Sequence, residues 1–554
     1  MAESQQSQGD STGGTHFPGV VLEDDHGEAA QEIQKNEVPE DEAPTLTHVT
    51  DKVHFIDLAN KQLQTISPEV TRLEYLEELH MENNLIVSIP RHIIKLRHIK
   101  VLYLNQNCIQ DIQALGELQS LLSLDLSNNP LSHTSLPVIS NLQSLRKLRL
   151  HKTNIHELPV QICKNLHHLE LLGLSDNNLR CLPKEIVNLK NLKELYLQKN
   201  RFESFPEELC YLTKLEIIDL EQNLISFIPE EIGLLTNLVK LFLAFNKLSS
   251  IPDTLQHCQK LAVLDLSHNL LDKLPPGLEN LTEMREVSLS GNPLKKFPRQ
   301  ICCWKSLTHV NLKNTRLHKV PKAFTKLAGV RILDLSENNF DEIPQGICSM
   351  KNLEVLALDG NKIQEIPGEV EELTNLKCLS LSENQFSAFP KEIFLLKSLE
   401  KLYLGQEKGI KFTSLPEDIK NLQNLKELYV DNNCLEYLPE AIGLLTDLKI
   451  LDCQNNLLKK LPHSICRMQG LQKLLLQNNQ LSHLPKHLDR LQELELLQLE
   501  GNPMIEPPTE VCSQGPSVIW EYLQEKRFQS ARKLQVTGLF FYLFSDPNFV
   551  AWVD

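Results

Sequence analysis

Tryptophan is scarce in this 554-residue sequence, at three residues; aromatics reach only 6% and glycines number 21. So little glycine excludes collagen-like and low-complexity chains. Long apolar runs are missing too. Leu539-Phe540-Phe541-Tyr542-Leu543-Phe544, the longest late in the chain, is far short of the ~20 residues that span a bilayer. No membrane span is expected. Positive charge is in deficit: 56 Lys and Arg face 72 Asp and Glu, a formal net charge of −16. Nucleic acid, which needs a basic surface, is not an expected partner. Thirteen Cys occur without a C-x-x-C pair or a disulfide framework. The opening MAESQQSQGDSTGG lacks the basic and apolar regions of a signal peptide. A cytoplasmic location is the expectation.

Chemical motifs are equally sparse. There is no H-E-x-x-H and no phosphate-binding G-x-x-x-x-G-K-[ST]. Gly405-Gln406-Glu407-Lys408-Gly409-Ile410-Lys411 imitates the latter, but it is one residue short and Ile410 intervenes. The 19 His are scattered, and His167-His168 has no partner motif. Lone carboxylates do not make an acid/base pair. No enzyme, metal or cofactor is expected.

What the sequence has is a period. The segment Leu215-Glu-Ile-Ile218-Asp-Leu220-Glu-Gln-Asn223 recurs as Leu238-Val-Lys-Leu241-Phe-Leu243-Ala-Phe-Asn246, and again from Leu261 to Asn269. Twenty copies begin between Val53 and Leu494, and fifteen of the nineteen intervals are 23 residues. The alternating L-x-L centre reads as a short strand with one buried face. Sixteen copies end it with Asn, whose amide both donates and accepts and so can serve two adjacent coils. Thr153 and Thr315 are smaller donor–acceptors there, whereas Lys61 and Glu407 do not fit. The second half reads apolar-Pro-x-x-apolar, as in Ile228-Pro229-Glu230-Glu231-Ile232. Proline there predicts the first position of a helical turn. Cys163, Cys210, Cys302, Cys348, Cys466 and Cys512 share one return position, so they read as small core residues. No coil buries its apolar side alone, and stacking must supply the core. This pattern is that of the leucine-rich repeat. The expected fold is α/β, a leucine-rich repeat solenoid (horseshoe) with a concave parallel β-sheet.

Four regions follow: an acidic arm (1–50), the repeats (51–512), a capping helix (513–535) and an apolar tail (536–554). The arm holds eleven carboxylates against Lys35 alone and is expected to be disordered. Lys61 marks a modified first coil. Val518, Ile519, Tyr522 and Leu523, with Trp520, form the helical stripe that would cover the last coil. Between Leu404 and Pro416 one unit is three residues longer, and Glu407, which cannot donate, predicts a break in the asparagine ladder.

Binding is expected on the concave face, through the outward x positions. In consecutive coils these give Tyr196, Asp219, Phe242 and Asp265; Phe245 lies nearby, flanked by Lys199 and His268. Exposed aromatics among charges resemble an interface hot spot. Tyr403 and Tyr429, on either side of the long unit, are a second candidate pair. Asp57, Asp125, Asp334 and Asp452 share the strand position of Asp219 and Asp265, where solvated carboxylates are expected. Lys52-Val53-His54-Phe55 fits a K/R-V-x-F phosphatase-docking pattern, although Val53 also opens the first coil.

The segments from Lys164 to Val187, Tyr403 to Gln406 and Val518 to Leu523 resemble the leucine-rich repeat and IQ domain-containing proteins. More distantly, the 23-residue L-P-x-x-I unit is similar to intracellular scaffolds that bind Ras-type GTPases. The resemblance implies a non-catalytic interaction platform with a protein partner on its concave face, a small GTPase among the classes implied. Leu534-Gln535 begins an IQ pattern, but its expected Arg, Gly and basic positions fall on Leu539, Phe540 and Phe544. Without the basic face that calmodulin grips, calmodulin is not an expected partner, and the chain resembles a truncated or alternatively ended member.

Overall fold

The computed structural model describes residues 53–544. The acidic arm, Lys52 and the end of the apolar tail lie outside them. Each repeat opens a three-residue strand, from β1 (Phe55–Asp57) to β20 (Leu496–Gln498). Every strand pairs in parallel with the next, in chain order, as one open twenty-stranded sheet. Leucine alternation sets which face is inside. In β9 (Lys240–Phe242), Leu241 is buried between two half-exposed neighbours.

Most coils return through a five-residue 3-10 turn. Pro229, at φ −68° and ψ 153°, precedes the turn Glu230–Leu234, and its carbonyl accepts from the Ile232 amide at 3.1 Å. The repeat proline is therefore the capping residue, one position ahead of the expected first helical residue. Its extended ψ carries the chain round the corner, and the turn begins on the residue after it. Two earlier coils return through short α-helices instead, α1 (Pro68–Thr71) and α2 (Val160–Asn165), as does the last coil, described below. The core is one apolar cluster from Ile66 to Leu523. The six return-position cysteines are all buried free thiols within it, and burial pushes Cys163 and Cys210 up to about 12.

A column of buried amides joins the coils. Asn246 Oδ1 accepts from the Ile225 amide of the preceding coil at 3.0 Å, while Nδ2 donates to Leu220 O (2.9 Å) and Leu243 O (3.0 Å). The column begins at Asn84, which accepts from the Lys61 and Leu63 amides, so the first coil supplies only backbone. Thr153 and Thr315 donate within their own coils, to Leu150 O and Leu312 O, and also reach the next asparagine. Their missing acceptor role is met one coil earlier. Asn129-Pro130-Leu131 and Asn292-Pro293-Leu294 turn so that Leu131 N and Leu294 N bond their own coils' Asn129 O and Asn292 O, both at 2.9 Å.

The column is half kept at the long unit: an acceptor remains, but the two side-chain donor bonds are lost. Gln406, one residue before Glu407, is fully buried and its Oε1 accepts from the Asn384 amide at 3.1 Å. The extra residues form a bulge in which Lys411 Nζ donates to Gln406 O (2.9 Å) and Asn432 O (2.7 Å). Gly409 is required there, because a Cβ would lie 2.6 Å from Asn384 O. Only the donor half of the Gln406 amide is unpartnered.

At the far end α3 (Thr509–Cys512) and α4 (Pro516–Phe544) close the core. Ile519 and Leu523 are buried, with Trp520 and Tyr522 packed beside them. Helix α4 continues past residue 535 without a break. Arg527 clamps Asp489 in two bonds, at 2.7 and 2.6 Å, and holds its carboxyl below the usual range.

Two predictions follow from these joints. Asn246→Ala orphans one amide and weakens two carbonyls, so it should cost about 3 kcal/mol. Gln406→Ala gives up one bond and should cost about 1 kcal/mol. Amide exchange in the flanking coils measures both; the reverse order would show that the column is not what joins them. Arg527→Ala should cost about 2 kcal/mol, confined to exchange in β20 and the cap. Because Asp489 has a lowered pKa, the clamp stabilises fully above the unfolded carboxylate value of about 3.9 and is lost as pH falls through the folded one. A pH-independent difference between the two proteins at pH 2 to 7 would refute the ionic clamp.

Candidate protein-binding face

The third residue of each strand, and the residue two further on, alternate outward from the leucines. In the first row stand Asp57, Asp125, Asp219, Asp265, Asp334 and Asp452; in the second stand Glu82, Glu221, Asp359, Asp431 and Glu500. Only Arg149 and Lys313 oppose them as permanent cations. The concave wall is acidic.

Asp57 is exposed, as expected of a solvated carboxylate, but the aspartates of the inner coils are partly or wholly withdrawn from water. Each strand aspartate folds back to accept the amide two residues on, as Asp219 does from Glu221 (3.0 Å) and Asp265 from Ser267 (2.9 Å). Asp452 is buried. Desolvation by the neighbouring coils raises Asp219 and Asp452 to about 6. Glu221 is raised to about 7 by burial together with the charges of Asp219 and Asp265, and Asp359 to about 7 mainly by burial.

Strand register brings the first candidate group together. Tyr196 of β7 (Glu194–Tyr196), Asp219 of β8 (Ile217–Asp219), Phe242 of β9 and Asp265 of β10 (Val263–Asp265) are consecutive cross-strand partners. Tyr196 donates to Glu194 Oε2 at 2.8 Å. Phe245 stacks on His268, with centroids 4.3 Å apart and planes 8° from parallel. Its other neighbour in the row is Gln222; Lys199 is one coil further away, not adjacent as expected. Phe245 is 51% exposed and adopts φ 57°, a left-handed conformation that costs an aromatic side chain about 1 kcal/mol.

Tyr403 and Tyr429 are direct partners of adjacent strands, their rings stacked at 4.5 Å and 7°. Tyr429 donates to Glu427 at 3.1 Å, and burial raises both phenols. This pair lies six coils from Asp265, so the candidates form two separate patches. A third aromatic row escaped sequence reasoning: His80 packs against Phe55 (5.1 Å) and Tyr103 (4.7 Å) in the first three coils. Its signal was Tyr103 in the same outward position. Of the K-V-x-F residues, Val53 packs partly buried against the core and Phe55 is exposed on β1, while Lys52 lies outside the described residues.

One edge of the wall carries charges of alternating sign. Lys100 meets Glu77 (2.7 Å), Glu170 lies between Arg146 and Lys193, Glu354 between Arg331 and Lys377, and Lys426 meets Glu400 (2.7 Å). In the coils of β9 and β10 the same position is Val239 and Ala262. Among the described residues no group of three or more His, Cys, Asp or Glu could hold a metal, and no helix is long and apolar enough to cross a membrane.

A family model described as a leucine-rich repeat region matches residues 108–253 and 322–432, and one described as a leucine rich repeat matches 74–131 and 236–294. The human leucine-rich repeat and IQ domain-containing protein 4 is 52% identical over 166 residues, 30% of each chain. The match thus spans under a third of that relative's length. Among solved structures, a leucine-rich repeat protein of Leptospira interrogans is 28% identical with a TM-score of 0.54, over 83% of this chain and 93% of its own. The Arabidopsis receptor kinase HAESA, solved in complex with the peptide hormone IDA and a co-receptor, is 25% identical with a TM-score of 0.53, over 82% and 87%. The repeat models together cover more than half of the sequence, and the chain belongs to the leucine-rich repeat proteins.

Proposed function

We propose that this protein is a non-catalytic intracellular scaffold that binds a protein partner on its concave wall. The observation that carries this reading is the placement of Phe242, Phe245 and the stacked Tyr403–Tyr429 pair on outward positions of a rigid sheet. A side chain held by stacked coils loses little entropy on binding, so a few aromatic anchors suffice for affinity. The similar HAESA chain is in complex with a peptide, which is in keeping with use of this fold to hold polypeptide. The exposed free thiols of Cys108, Cys181 and Cys303 suit a reducing compartment.

Phe242→Ala with Phe245→Asn tests the first patch and Tyr403→Ala with Tyr429→Ala the second. Asparagine already occupies the Phe245 position in several coils with the same positive φ, including Asn83 and Asn432. Relief of about 1 kcal/mol of backbone strain offsets the lost His268 stacking, itself worth about 0.5–1.5 kcal/mol. The first variant should therefore melt like the parent. Proximity labelling in cells should show a partner reduced about tenfold by at least one variant. Partner sets identical to the parent's for both variants would remove the concave wall as the binding face.

A further inference from the structure

The coil of β9 differs from the coils beside it along its whole outward surface. From one edge to the other it presents Val239, Lys240, Phe242 and Phe245, a band of apolar groups interrupted only by Lys240, while Ala244 between the two phenylalanines is buried. Six strand-like steps, from Val239 to Phe245, make this band ~20 Å long. In the preceding coil the corresponding row includes Asp219 and Glu221, and in the following one Asp265. By register, Asp219 and Asp265 stand one strand on either side of Phe242, about 5 Å away each. Nowhere else in that row are two aspartates only two coils apart. Among the described residues none of these three carboxylates joins an ion pair, although lysines and arginines elsewhere on the wall's edge are paired coil to coil. The band reaches the edge where the alternating charges give way to Val239 and Ala262.

Resting on the scaffold reading above, we propose that this band is the seat of a basic partner segment. An extended stretch of polypeptide lies along β9 with apolar side chains on Phe242 and Phe245, and Lys or Arg side chains reach sideways to Asp219, Glu221 and Asp265. Charge complementarity selects this occupant. An acidic segment would meet uncompensated carboxylates on both sides, and a wholly apolar one would bury them without a partner. Charge fixes register and the apolar band supplies most of the affinity.

The test is selection of a phage-displayed library of random dodecapeptides on the intact immobilised chain, followed by titration of one enriched synthetic peptide. Enriched sequences should place aromatic or aliphatic residues among Lys and Arg, and their binding should weaken as salt rises. Asp219→Asn with Asp265→Asn, which keeps shape and removes charge, should weaken the peptide about tenfold. Phe242→Ala should do the same. Asp334→Asn, at the same strand position three coils away, should leave affinity within about twofold. Acidic or uncharged winners, no winners, or indifference to both variants would overturn the proposal. Winners displaced only by Tyr403→Ala would overturn it while leaving the scaffold reading intact, whereas loss of the scaffold reading is decided separately by the cellular partner sets.

Discussion

The shared asparagine amide is the constraint on which everything else rests. A short coil cannot satisfy its own turn, because the backbone bends away from the ladder before its polar groups find partners. One primary amide per coil repairs this by accepting from the coil before and donating to two carbonyls, in a place too buried for water. Its geometry fixes the spacing between coils and locks the leucines into one interior. The residues between those leucines are free to vary, so binding chemistry can be rewritten without disturbing the fold.

Much of this was legible in the sequence, because a period repeated twenty times fixes strand, face and register together. What escaped was the way exceptions compensate each other. Thr153 and Thr315 look like simple weakenings of the column. In the structure each follows a coil whose Asn-Pro-Leu turn, at Asn129 and Asn292, has already satisfied its own amide. The dipeptide and the threonine are one device written 23 or 24 residues apart. Gln406 escaped for a related reason. Counting from the repeat start points to Glu407, but the longer side chain one residue earlier accepts from the backbone amide of Asn384 itself, two residues before the usual donor, and the bulge absorbs the shift. Position alone gives the role of a residue only while the backbone keeps step.

The electrostatics of the wall were legible in sign and not in degree. Outward aspartates suggest solvated charge, yet in the inner coils neighbouring coils come close enough to strip water from several of them, and burial raises the pKa values of Asp219 and Asp452. Like charges directly opposed on adjacent strands are destabilising. In the strand row carboxylates are accordingly spaced by His, Tyr, Arg, Ser, Asn or Ala, and along the edge they alternate with lysine and arginine. Both arrangements limit repulsion along the acidic wall, each exposed pair contributing about 0.2–1 kcal/mol.

Against that background the coil of β9 stands apart by three independent departures. Phe245 takes a left-handed conformation that an aromatic residue rarely accepts, apolar groups line the outward positions, and unpaired carboxylates crowd it on both sides. Each departure alone costs on the order of 1 kcal/mol. Stability would be improved by an asparagine, a serine or a lysine at any of these places, and other coils of the same chain carry such residues there. A coil embedded among close copies of itself is its own control, since the fold has shown nineteen times that it does not require these choices. The cost is concentrated where aromatic surface and negative charge coincide, which is the combination a basic, partly apolar segment would relieve.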